Sequence, residues 1–565
     1  MKKIDDFFYD INNKTPGCVV GVLKNGEKVF SKSYGTANLD YDIPITSDTV
    51  FHIASVSKQF AAFCIALLEE ENLIDKKDDI RTYIPELKRN IKHIITIEDL
   101  IHMKSGLKDA YHTIQYVKGL TENEFLNEEE LLDIAFNTEV QIFEPGDQFW
   151  YSNTNYLFLS EIIKRVTGKS LSYYADEKIF KPLNMKNSFF REDYTNIIKN
   201  RAEGYCLYDF LHYTKKQKEK FRNHINDFCI STENAQATGA GQVWSTLNDL
   251  FKWVKNFENN IIGKSGNKLI EKLFAPSKDN KGNDLNYGYG QFISERHGEK
   301  VVFHEGGSCG HNSVIYMIPE RKLSIILLAN TNEFLMRYYK RYNYVDVIEK
   351  IADIFLNREE SSISIEKIEN KEKVVQNFDK LKLVVGEYQS KKTGSIWKIA
   401  LQEDICEVNI NGIMKRNLVY IKDNEYKFEN ENVICIFEKD ENNNIIKLEV
   451  ESEDFENEYF PFNKNLQKGY FDRFCGEYEC KKLNCSYIVS ATSSGIFLKN
   501  KDRHRTSLDL EYLPTIENYF YTYQPPYIPD FYVLEFLTDE NNKINAYIIR
   551  DYDGSKIEEF VFKKV

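Results

Sequence analysis

The stretch SVSKQFAAFCIALLEEENL, residues 55–73, decides how the first part of the chain folds. Its apolar side chains recur at intervals of three and four residues, a spacing that places them on one face of a helix. The pattern predicts a strong helix over residues 56–73. Because residues three apart share a helix face, the hydroxyl of Ser55 and the amine of Lys58 can meet at its start. The apolar positions are Phe60, Phe63, Cys64, Leu67 and Leu68.

A serine and a lysine at this spacing form a pair that can do chemistry. A free hydroxyl is a poor nucleophile and needs a base beside it, and a lysine in a partly buried pocket can lose its proton and act as that base. The N–H groups at a helix N-terminus favour a developing oxyanion. The S-x-x-K spacing alone is a weak signal, because it occurs at five serines: Ser55, Ser105, Ser265, Ser364 and Ser395.

Two further segments single out the first of these five serines. Tyr151-Ser152-Asn153 follows the turn-forming Glu144-Pro145-Gly146 and precedes a predicted helix at 155–167. His304-Glu305-Gly306 ends a predicted strand at 300–304 and is the one His-x-Gly in the sequence. Taken alone, a core tyrosine or a strand-end histidine explains each segment better. Their common order favours the chemical interpretation.

With these elements in this order, residues 15–350 resemble the serine β-lactamase and penicillin-binding-protein superfamily and are most similar to its class C β-lactamase-like branch. The resemblance implies an α+β catalytic domain in which helices flank an antiparallel sheet, with no cofactor and no metal. A predicted hairpin around Asn25-Gly26 and predicted strands at 300–304, 312–318 and 322–329 are consistent with such a sheet.

The resemblance also implies three catalytic roles. Ser55 is the acylated nucleophile, and Lys58 is its activating base or lowers its barrier. Tyr151 helps to pass the proton to the leaving group and activates the water that removes the acyl group. A normal tyrosine is protonated at neutral pH and needs a cationic neighbour such as Lys58 to act as a base. Which of Lys58 and Tyr151 is the main base stays open.

Four further residues are implied to hold the substrate. Asn153 orients the acyl-side amide, and the backbone N–H groups of Ser55 and Gly307 form the oxyanion hole. His304 and Gly306 line the substrate-binding edge of the strand. Many β-lactamases have lysine where this sequence has His304, so the fixed positive charge that grips a carboxylate is weakened or depends on pH. This departure argues against strong β-lactamase or carboxypeptidase activity.

The composition changes near residue 357, where a charged and polar stretch without aromatic residues begins, as in a linker. Strand-like runs follow and repeat themselves. Gly386-Glu387-Tyr388 recurs at 476–478, and Asp440-Glu441-Asn442-Asn443 recurs at 539–542. The repeat predicts two copies of one all-β unit, each a closed or nearly closed barrel, because closure leaves no exposed strand edges.

The predicted organisation therefore has a catalytic domain and two barrels, and this order resembles the D-aminopeptidase architecture. In that family the two barrels are lipocalin-like, and a loop of the last one reaches the active site to select a free D-amino-terminal residue. The predicted segments are 1–356 for the β-lactamase-like serine hydrolase domain, 357–378 for the linker, 379–465 for the first barrel and 466–565 for the second.

The Pro-rich segment 522–532 is the analogue of that selecting loop. If it reaches the active-site cleft, Tyr523, Tyr527 and Tyr532 can form a wall and Asp530 can hold a substrate ammonium. An exposed hairpin explains the same segment equally well.

Several other features exclude classes of function. A net charge of −13 argues against nucleic-acid binding, and no run approaches the roughly 20 apolar residues of a membrane helix. Early acidic residues argue against a signal peptide and predict a cytoplasmic protein. The ten cysteines are too sparse for a disulfide scaffold. Lys392-Thr393-Gly394 and Tyr194-Thr195-Asn196 imitate the family's motifs in the wrong context and are rejected.

We therefore interpret the sequence as a serine hydrolase that acts through an acyl-enzyme on small peptides or amides with a D-residue. A carboxylesterase or β-lactamase-like hydrolase is the alternative enzyme. A protein that binds β-lactams as a sensor without turnover is the alternative outside catalysis. The expected partner is a small peptide, amide or ester substrate, with a homodimer left open.

Overall fold

The computed structural model describes residues 2–9, 11–89, 93–110, 126–137, 141, 143–207, 228–231, 236–308, 310–331, 344–358, 378–390, 396–402, 405–410, 414–429, 433–451, 456–461, 469–481, 485–492, 495–501, 510–514, 519–522, 533–550 and 561–565. These residues form two compact units, one up to residue 358 and one from residue 378 onward. Within these ranges, no helix combines the length and the apolar character that crossing a bilayer requires.

The first unit mixes short and long elements of both kinds. Its described strands are β1 (Cys18–Lys24), β2 (Glu27–Tyr34), β3 (Thr36–Asn38), β4 (Ile43–Pro44), β5 (Phe51–His52), β6 (Phe189–Phe190), β7 (Tyr205–Leu207), β8 (Phe228–Ile230), β9 (Val243–Ser245), β10 (Phe292–Arg296), β11 (Glu299–Ser308), β12 (His311–Ile318) and β13 (Leu323–Ala329). Its described α-helices are α1 (Lys2–Asp5), α2 (Lys58–Glu70), α3 (Ile97–Ile101), α4 (Glu128–Asn137), α5 (Asn153–Thr167), α6 (Leu171–Ala175), α7 (Thr238–Gly241), α8 (Leu247–Asn259), α9 (Asn267–Leu273) and α10 (Tyr344–Leu356).

Six strands form the central antiparallel sheet, in the order β10-β11-β12-β13-β1-β2. The predicted hairpin joins β1 to β2, and its Asn25 and Gly26 have φ of 53° and 74°, as an Asn-Gly hairpin turn requires. The three predicted strands are confirmed as β11, β12 and β13. β11 continues to Ser308, beyond the predicted end at 304, because it keeps pairing with β12 through Gly306 and Gly307.

Helices cover both faces of this sheet. On one face, α10 places Val347, Ile348 and Ile351 in a cluster with side chains of β1, β12 and β13. Successive residues of a strand point to opposite faces, so Gly21 of β1 faces away from that cluster. A methyl group on Gly21 would lie 2.4 Å from the Phe251 ring of α8. The unit is therefore a helix–sheet–helix sandwich, and α8 lies unusually close to β1.

The helix predicted over 56–73 is present but shorter. α2 runs from Lys58 to Glu70 and follows a 3₁₀ turn at Ala54–Ser57. Its residues from Lys58 to Leu68 are buried on all sides instead of on one face, because α8 covers the remaining side. The Phe60 ring stacks on Trp253 with centroids 4.3 Å apart. A helix that is enclosed all round belongs to the core of a domain, so α2 fixes its N-terminus firmly inside the unit.

The second unit contains the short helix α11 (Phe378–Lys382) and two closed eight-stranded antiparallel barrels. The first barrel comprises β14 (Gly386–Ser390), β15 (Ile396–Gln402), β16 (Ile405–Ile410), β17 (Met414–Lys422), β18 (Glu425–Phe428), β19 (Ile434–Lys439), β20 (Ile445–Glu451) and β21 (Glu456–Pro461). The second comprises β22 (Gly476–Cys480), β23 (Cys485–Ala491), β24 (Ile496–Asn500), β25 (Leu510–Pro514), β26 (Tyr519–Thr522), β27 (Val533–Thr538), β28 (Ile544–Arg550) and β29 (Phe562–Lys564).

The predicted repeat is confirmed at the level of single hydrogen bonds. In the first strand of each barrel, a tyrosine hydroxyl donates to a carbonyl four residues earlier: Tyr388 to Val384 at 2.9 Å and Tyr478 to Phe474 at 2.7 Å. The repeated Asp-Glu-Asn-Asn forms the same turn between the sixth and seventh strands of each barrel. There Asp440 and Asp539 each accept two backbone N–H groups.

Aromatic side chains pack inside both barrels. In the first, Trp397 stacks on Phe428 with centroids 5.3 Å apart, and in the second, Tyr547 stacks on Phe562 at 4.6 Å. The described interiors are thus hydrophobic cores of the kind that stabilises a small barrel.

Several predictions fall on residues outside the described ranges. Most of the predicted linker, at 359–377, lies there, as do Lys392-Thr393-Gly394 and Tyr523, Asp530 and their neighbours in the predicted selecting loop. The barrel strands lie inside the ranges predicted for the two repeats. The exact domain limits and the lipocalin-like character of the barrels stay predictions.

Candidate active site

Ser55 is presented by a strained turn at the centre of the first unit. β5 pairs with β9, and the chain then turns sharply into α2. Ala54 has φ of 44°, a left-handed conformation that residues with a Cβ rarely adopt and that costs about 1–3 kcal/mol. The turn leaves Ser55 half-buried between fully buried neighbours. Only this residue of the turn can therefore be reached from outside.

The Lys58 amine is buried and lies at the centre of the site. Its Nζ donates to Ser55 Oγ at 3.0 Å, to Asn153 Oδ1 at 2.8 Å and to the Ala240 carbonyl at 2.8 Å. An amide oxygen and a carbonyl can only accept, so a neutral amine spends its two N–H groups on them. Its lone pair then faces the Ser55 hydroxyl. The same positions of these three partners suit both the neutral and the protonated amine of Lys58. A base needs this, because it changes between the two states during the reaction.

Asn153 is held by a residue that the sequence analysis missed. The buried Asp109 accepts from the backbone N–H of Asn153 at 2.7 Å and from its Nδ2 at 2.9 Å, both on Oδ2. The amide can therefore present only its oxygen to Lys58. In the sequence Asp109 is an isolated aspartate, and nothing around it indicates that its side chain is buried.

The loop before Asp109 is linked by hydrogen bonds to the segment that carries Tyr151. Ser105 Oγ donates to Asn155 Oδ1 at 2.5 Å, and Asn155 Nδ2 donates to the Ser152 carbonyl at 3.0 Å. Ser105 belongs to the second S-x-x-K of the sequence. Its hydroxyl is buried and makes this hydrogen bond to Asn155, so its role here is structural.

Tyr151 reaches both Ser55 and Lys58. Lys58 Nζ lies 4.8 Å from the centroid of its ring. Burial of its hydroxyl raises the pKa of Tyr151 well above the usual value, and the charges of Asp109 and Glu305 raise it further, while a hydrogen bond with Ser55 offsets part of this effect. The phenol is therefore protonated at neutral pH. It can give a proton, and it is poorly suited to be the first base.

His304 is a neutral histidine in this structure. Its Nδ1 lies 2.5 Å from the Glu305 carbonyl, which requires the proton on Nδ1, and its Nε2 then accepts from the Tyr287 hydroxyl at 3.1 Å. Burial and the nearby Lys58 charge lower the pKa of His304 to about 3. The strand thus lacks the fixed cation that a lysine would supply, and titration of His304 does not restore it near neutral pH.

Gly306 allows β11 to approach the nucleophile. A methyl group on Gly306 would lie 2.3 Å from the Ile53 carbonyl oxygen and 3.1 Å from the Ser55 nitrogen. Ser313 Oγ of β12 donates to the same Ile53 carbonyl at 2.7 Å. The strand edge that carries Gly306 and Gly307 is thereby held beside the Ser55 N–H.

The structure thus brings Ser55, Lys58, Tyr151 and Asn153 into direct contact, with His304 6.2 Å from Tyr151 between ring centroids. Gly306 lies against the Ser55 turn, and Gly307 is the next residue of the strand. The rejected Tyr194-Thr195-Asn196 lies elsewhere in the unit, in a loop whose Tyr194 hydroxyl donates to Gln242.

Sequence comparison matches residues 4–348 to a family model described as Beta-lactamase. Among curated relatives, Penicillin-binding protein 4* of Bacillus subtilis is 26% identical over 316 residues, or 55% of this chain and 67% of the relative. The D-aminopeptidase of Brucella anthropi is 27% identical over 322 residues, or 56% of this chain and 57% of the relative. The chain thus spans little more than half of the D-aminopeptidase it matches.

Two solved structures share the fold. The octameric penicillin-binding protein homologue from Pyrococcus abyssi aligns with a TM-score of 0.55 at 23% identity and covers 81% of this chain and 99% of that one. The D-amino acid amidase from Ochrobactrum anthropi SV3, complexed with L-phenylalanine, aligns with a TM-score of 0.50 at 22% identity and covers 63% and 97%.

Replacing Asp109 with alanine should slow acylation of Ser55. The variant loses two charge-assisted hydrogen bonds, so Asn153 can rotate and withdraw its oxygen from Lys58. A bond to a charged group contributes about 1.5–3 kcal/mol, so the rate constant for labelling by a fluorophosphonate should fall roughly 10- to 150-fold. Intact-mass spectrometry follows this rate. Asp109→Asn keeps an acceptor oxygen, so its labelling rate constant should fall less than that of Asp109→Ala.

Asp40→Ala, at an exposed aspartate, is the matched control and should label at the wild-type rate. Equal labelling rates for Asp109→Ala and Asp40→Ala would contradict the orienting role of Asp109.

Acid should destabilise the first unit. Burial lowers the pKa of His52 and His102 to about 4, of His304 to about 3 and of His311 well below its usual value. Below pH 6.5 the unfolded chain binds protons that the folded unit cannot, so the free energy of unfolding falls by up to about 1.4 kcal/mol per pH unit per histidine. Burial also raises the pKa of Glu128 to about 7 and the pKa values of Asp99 and Glu258, so these three carboxyls oppose part of the effect of the four histidines.

Melting temperature measured between pH 8 and pH 5 tests this expectation. It should fall progressively below pH 6.5, and His52→Gln should make the fall shallower, whereas the exposed His297→Asn should not. A melting temperature that stays constant down to pH 5 would show that these histidines are charged in the folded unit.

Proposed function

Because this chain belongs to the Beta-lactamase family through residues 4–348, we propose that it is a serine hydrolase that forms an acyl-enzyme on Ser55. The observation that carries the proposal is the 3.0 Å contact between Lys58 Nζ and Ser55 Oγ, completed by the Asn153 and Ala240 oxygens. A base must lie within about 2.6–3.2 Å of the heavy atom whose proton it removes. Lys58 meets this requirement before any substrate binds.

Acylation starts when Ser55 gives its proton to the lone pair of Lys58 and Oγ attacks the carbonyl carbon of the substrate. The backbone N–H groups of Ser55 and Gly307 stabilise the negative oxygen that forms. Tyr151, which is protonated, gives its proton to the leaving nitrogen or oxygen as the bond to the carbonyl carbon breaks. Lys58 then returns the serine proton to Tyr151, so both groups end the step as they began.

Deacylation reverses these transfers. A water takes the place of the leaving group beside Tyr151 and loses a proton through Tyr151 to Lys58 as its oxygen attacks the acyl carbon. The bond to Ser55 Oγ then breaks, and the proton held by Lys58 returns to Oγ. The products are a free acid and the original site.

The charge of the pocket favours a substrate with a free ammonium. His304 is neutral, and the charges of Asp109 and Glu305 act on Tyr151. In the state in which Lys58 is neutral and acts as the base, a substrate carboxylate would meet two negative groups and no cation, whereas a substrate ammonium would be attracted. Together with relatives named D-aminopeptidase, this pattern supports amides of amino-terminal D-residues as substrates.

A carboxylesterase is the second candidate, since the same groups hydrolyse esters, whose leaving groups need less help from Tyr151. The cytoplasmic location and the homodimer stay predictions.

A substrate panel tests the proposal. We expect D-alanyl p-nitroanilide to be hydrolysed much faster than its L-isomer, with p-nitrophenyl acetate hydrolysed as well. Ser55→Ala should lose roughly 10³- to 10⁶-fold in kcat, as nucleophile variants do, while Ser265→Ala, in an exposed S-x-x-K, should keep full activity.

Each other outcome contradicts part of the proposal. Hydrolysis of the ester alone would show that the protein is an esterase and not a D-aminopeptidase. A stable adduct on Ser55 with a β-lactam, without turnover of any substrate, would identify a sensor. Undiminished activity of Ser55→Ala would show that the reaction does not pass through an acyl-enzyme on Ser55.

A further inference from the structure

The first unit contains a cavity that has no residue in common with the site around Ser55. Its volume is about 690 Å³, and its walls are formed by residues 37–49 and 191–203. Cavities of about 300–1,000 Å³ are the usual size for small-molecule sites. Apolar side chains such as Ile43 and Ile197 line it together with Arg191 and Arg201.

Arg191 is the unusual member of this wall, with only 6% of its surface exposed. Its guanidinium lies 4.6 Å from the ring centroid of Tyr194 and 5.4 Å from that of Trp244. One nitrogen, Nη2, donates to the Tyr194 carbonyl at 2.7 Å. Its Nε is buried and makes no hydrogen bond to any residue that the structure describes.

A buried cation in this state is costly unless an anion accompanies it. Removing a charge from water without a partner costs several kcal/mol, and buried polar groups are nearly always hydrogen-bonded. No described carboxylate forms an ion pair with Arg191. Asp193, whose charge acts on Arg191 through space, accepts instead from the N–H and the hydroxyl of Thr195.

The charges of the residues that line the cavity determine which charge a ligand paired with Arg191 should carry. Arg201 pairs with Glu203 at 2.9 Å, so these two cancel. Apart from the exposed Asp193, whose charge water screens, Arg191 leaves one positive charge, which a single carboxylate neutralises. A phosphate dianion would overcompensate it. The planar guanidinium matches a carboxylate with two parallel hydrogen bonds, and the exposed side chains of Ile43 and Ile197 offer apolar surface to an organic body attached to it.

We propose that this cavity binds a small organic monocarboxylate through Arg191. The carboxylate accepts from guanidinium N–H groups of Arg191, which lines the cavity, while the organic body contacts Ile43 and Ile197. Tyr194 and Trp244 hold the guanidinium plane in place. Binding is independent of Ser55 chemistry.

Calorimetric titration of the Ser55→Ala protein tests this proposal without turnover. The probes are phenylacetate and N-acetyl-D-alanine, with N-acetyl-D-alanine amide and inorganic phosphate for comparison. We expect a carboxylate to bind at one site and the neutral amide not to bind. Arg191→Met should weaken binding at least tenfold, since a charge-assisted hydrogen bond contributes about 1.5–3 kcal/mol. Arg191→Lys should weaken it less.

Arg81→Met is the control, because Arg81 is already paired with Asp79 and does not line the cavity; binding should be unchanged. Melting curves establish that each variant folds. No carboxylate binding at millimolar concentration would overturn the proposal, as would equal binding by the Arg191→Met protein. Preference for phosphate would overturn the ligand class. Carboxylate binding that a fluorophosphonate adduct on wild-type Ser55 abolishes would place the ligand in the active site instead.

Discussion

The buried amine of Lys58 is the constraint on which the catalytic unit depends. An amine in a dry interior must have all its hydrogen bonds satisfied, and three of its partners lie far from one another in the chain: Ser55, Asn153 and Ala240. Satisfying Lys58 therefore assembles the site. The turn before α2, the N-terminus of α5 and the segment at 240–242 are fixed by the same group that the chemistry uses.

The surrounding framework holds those segments at the required distances. Gly290 and Gly306 show this most directly, because a methyl group on Gly290 would lie 2.6 Å from the Lys58 backbone and one on Gly306 would meet the Ser55 turn. Close approach of this kind requires glycine. The segment 240–242 also joins the active site to the Arg191 cavity, since the Gln242 carbonyl accepts from the Arg191 N–H.

The part of this arrangement that rests on local spacing was predictable. The Ser55–Lys58 contact follows from helix geometry, the Asn25-Gly26 hairpin from turn chemistry, and the two barrels from the sequence repeat. The convergence of Tyr151, Asn153 and His304 was expected only by resemblance, because spacing along a chain does not determine long-range contacts.

Other features depend on burial, which a single sequence does not reveal. Nothing in an alanine indicates the left-handed backbone of Ala54, and Asp109 looks like any surface aspartate. The loss of charge at His304 follows from its surroundings and not from its residue type. From the sequence we expected a weakened or pH-dependent cation there, and the structure has a neutral imidazole.

The role of Lys58 as a base, and not as a fixed charge, can be measured directly. The rate of Ser55 labelling by a fluorophosphonate is followed against pH for the wild type, Lys58→Arg and Lys58→Met. Arginine keeps the positive charge but cannot lose its proton, and general-base catalysis contributes about 10²–10⁴-fold. Both variants should lose that factor, and only the wild-type rate should rise with pH through one ionisation. A Lys58→Arg protein that labels at the wild-type rate would contradict it.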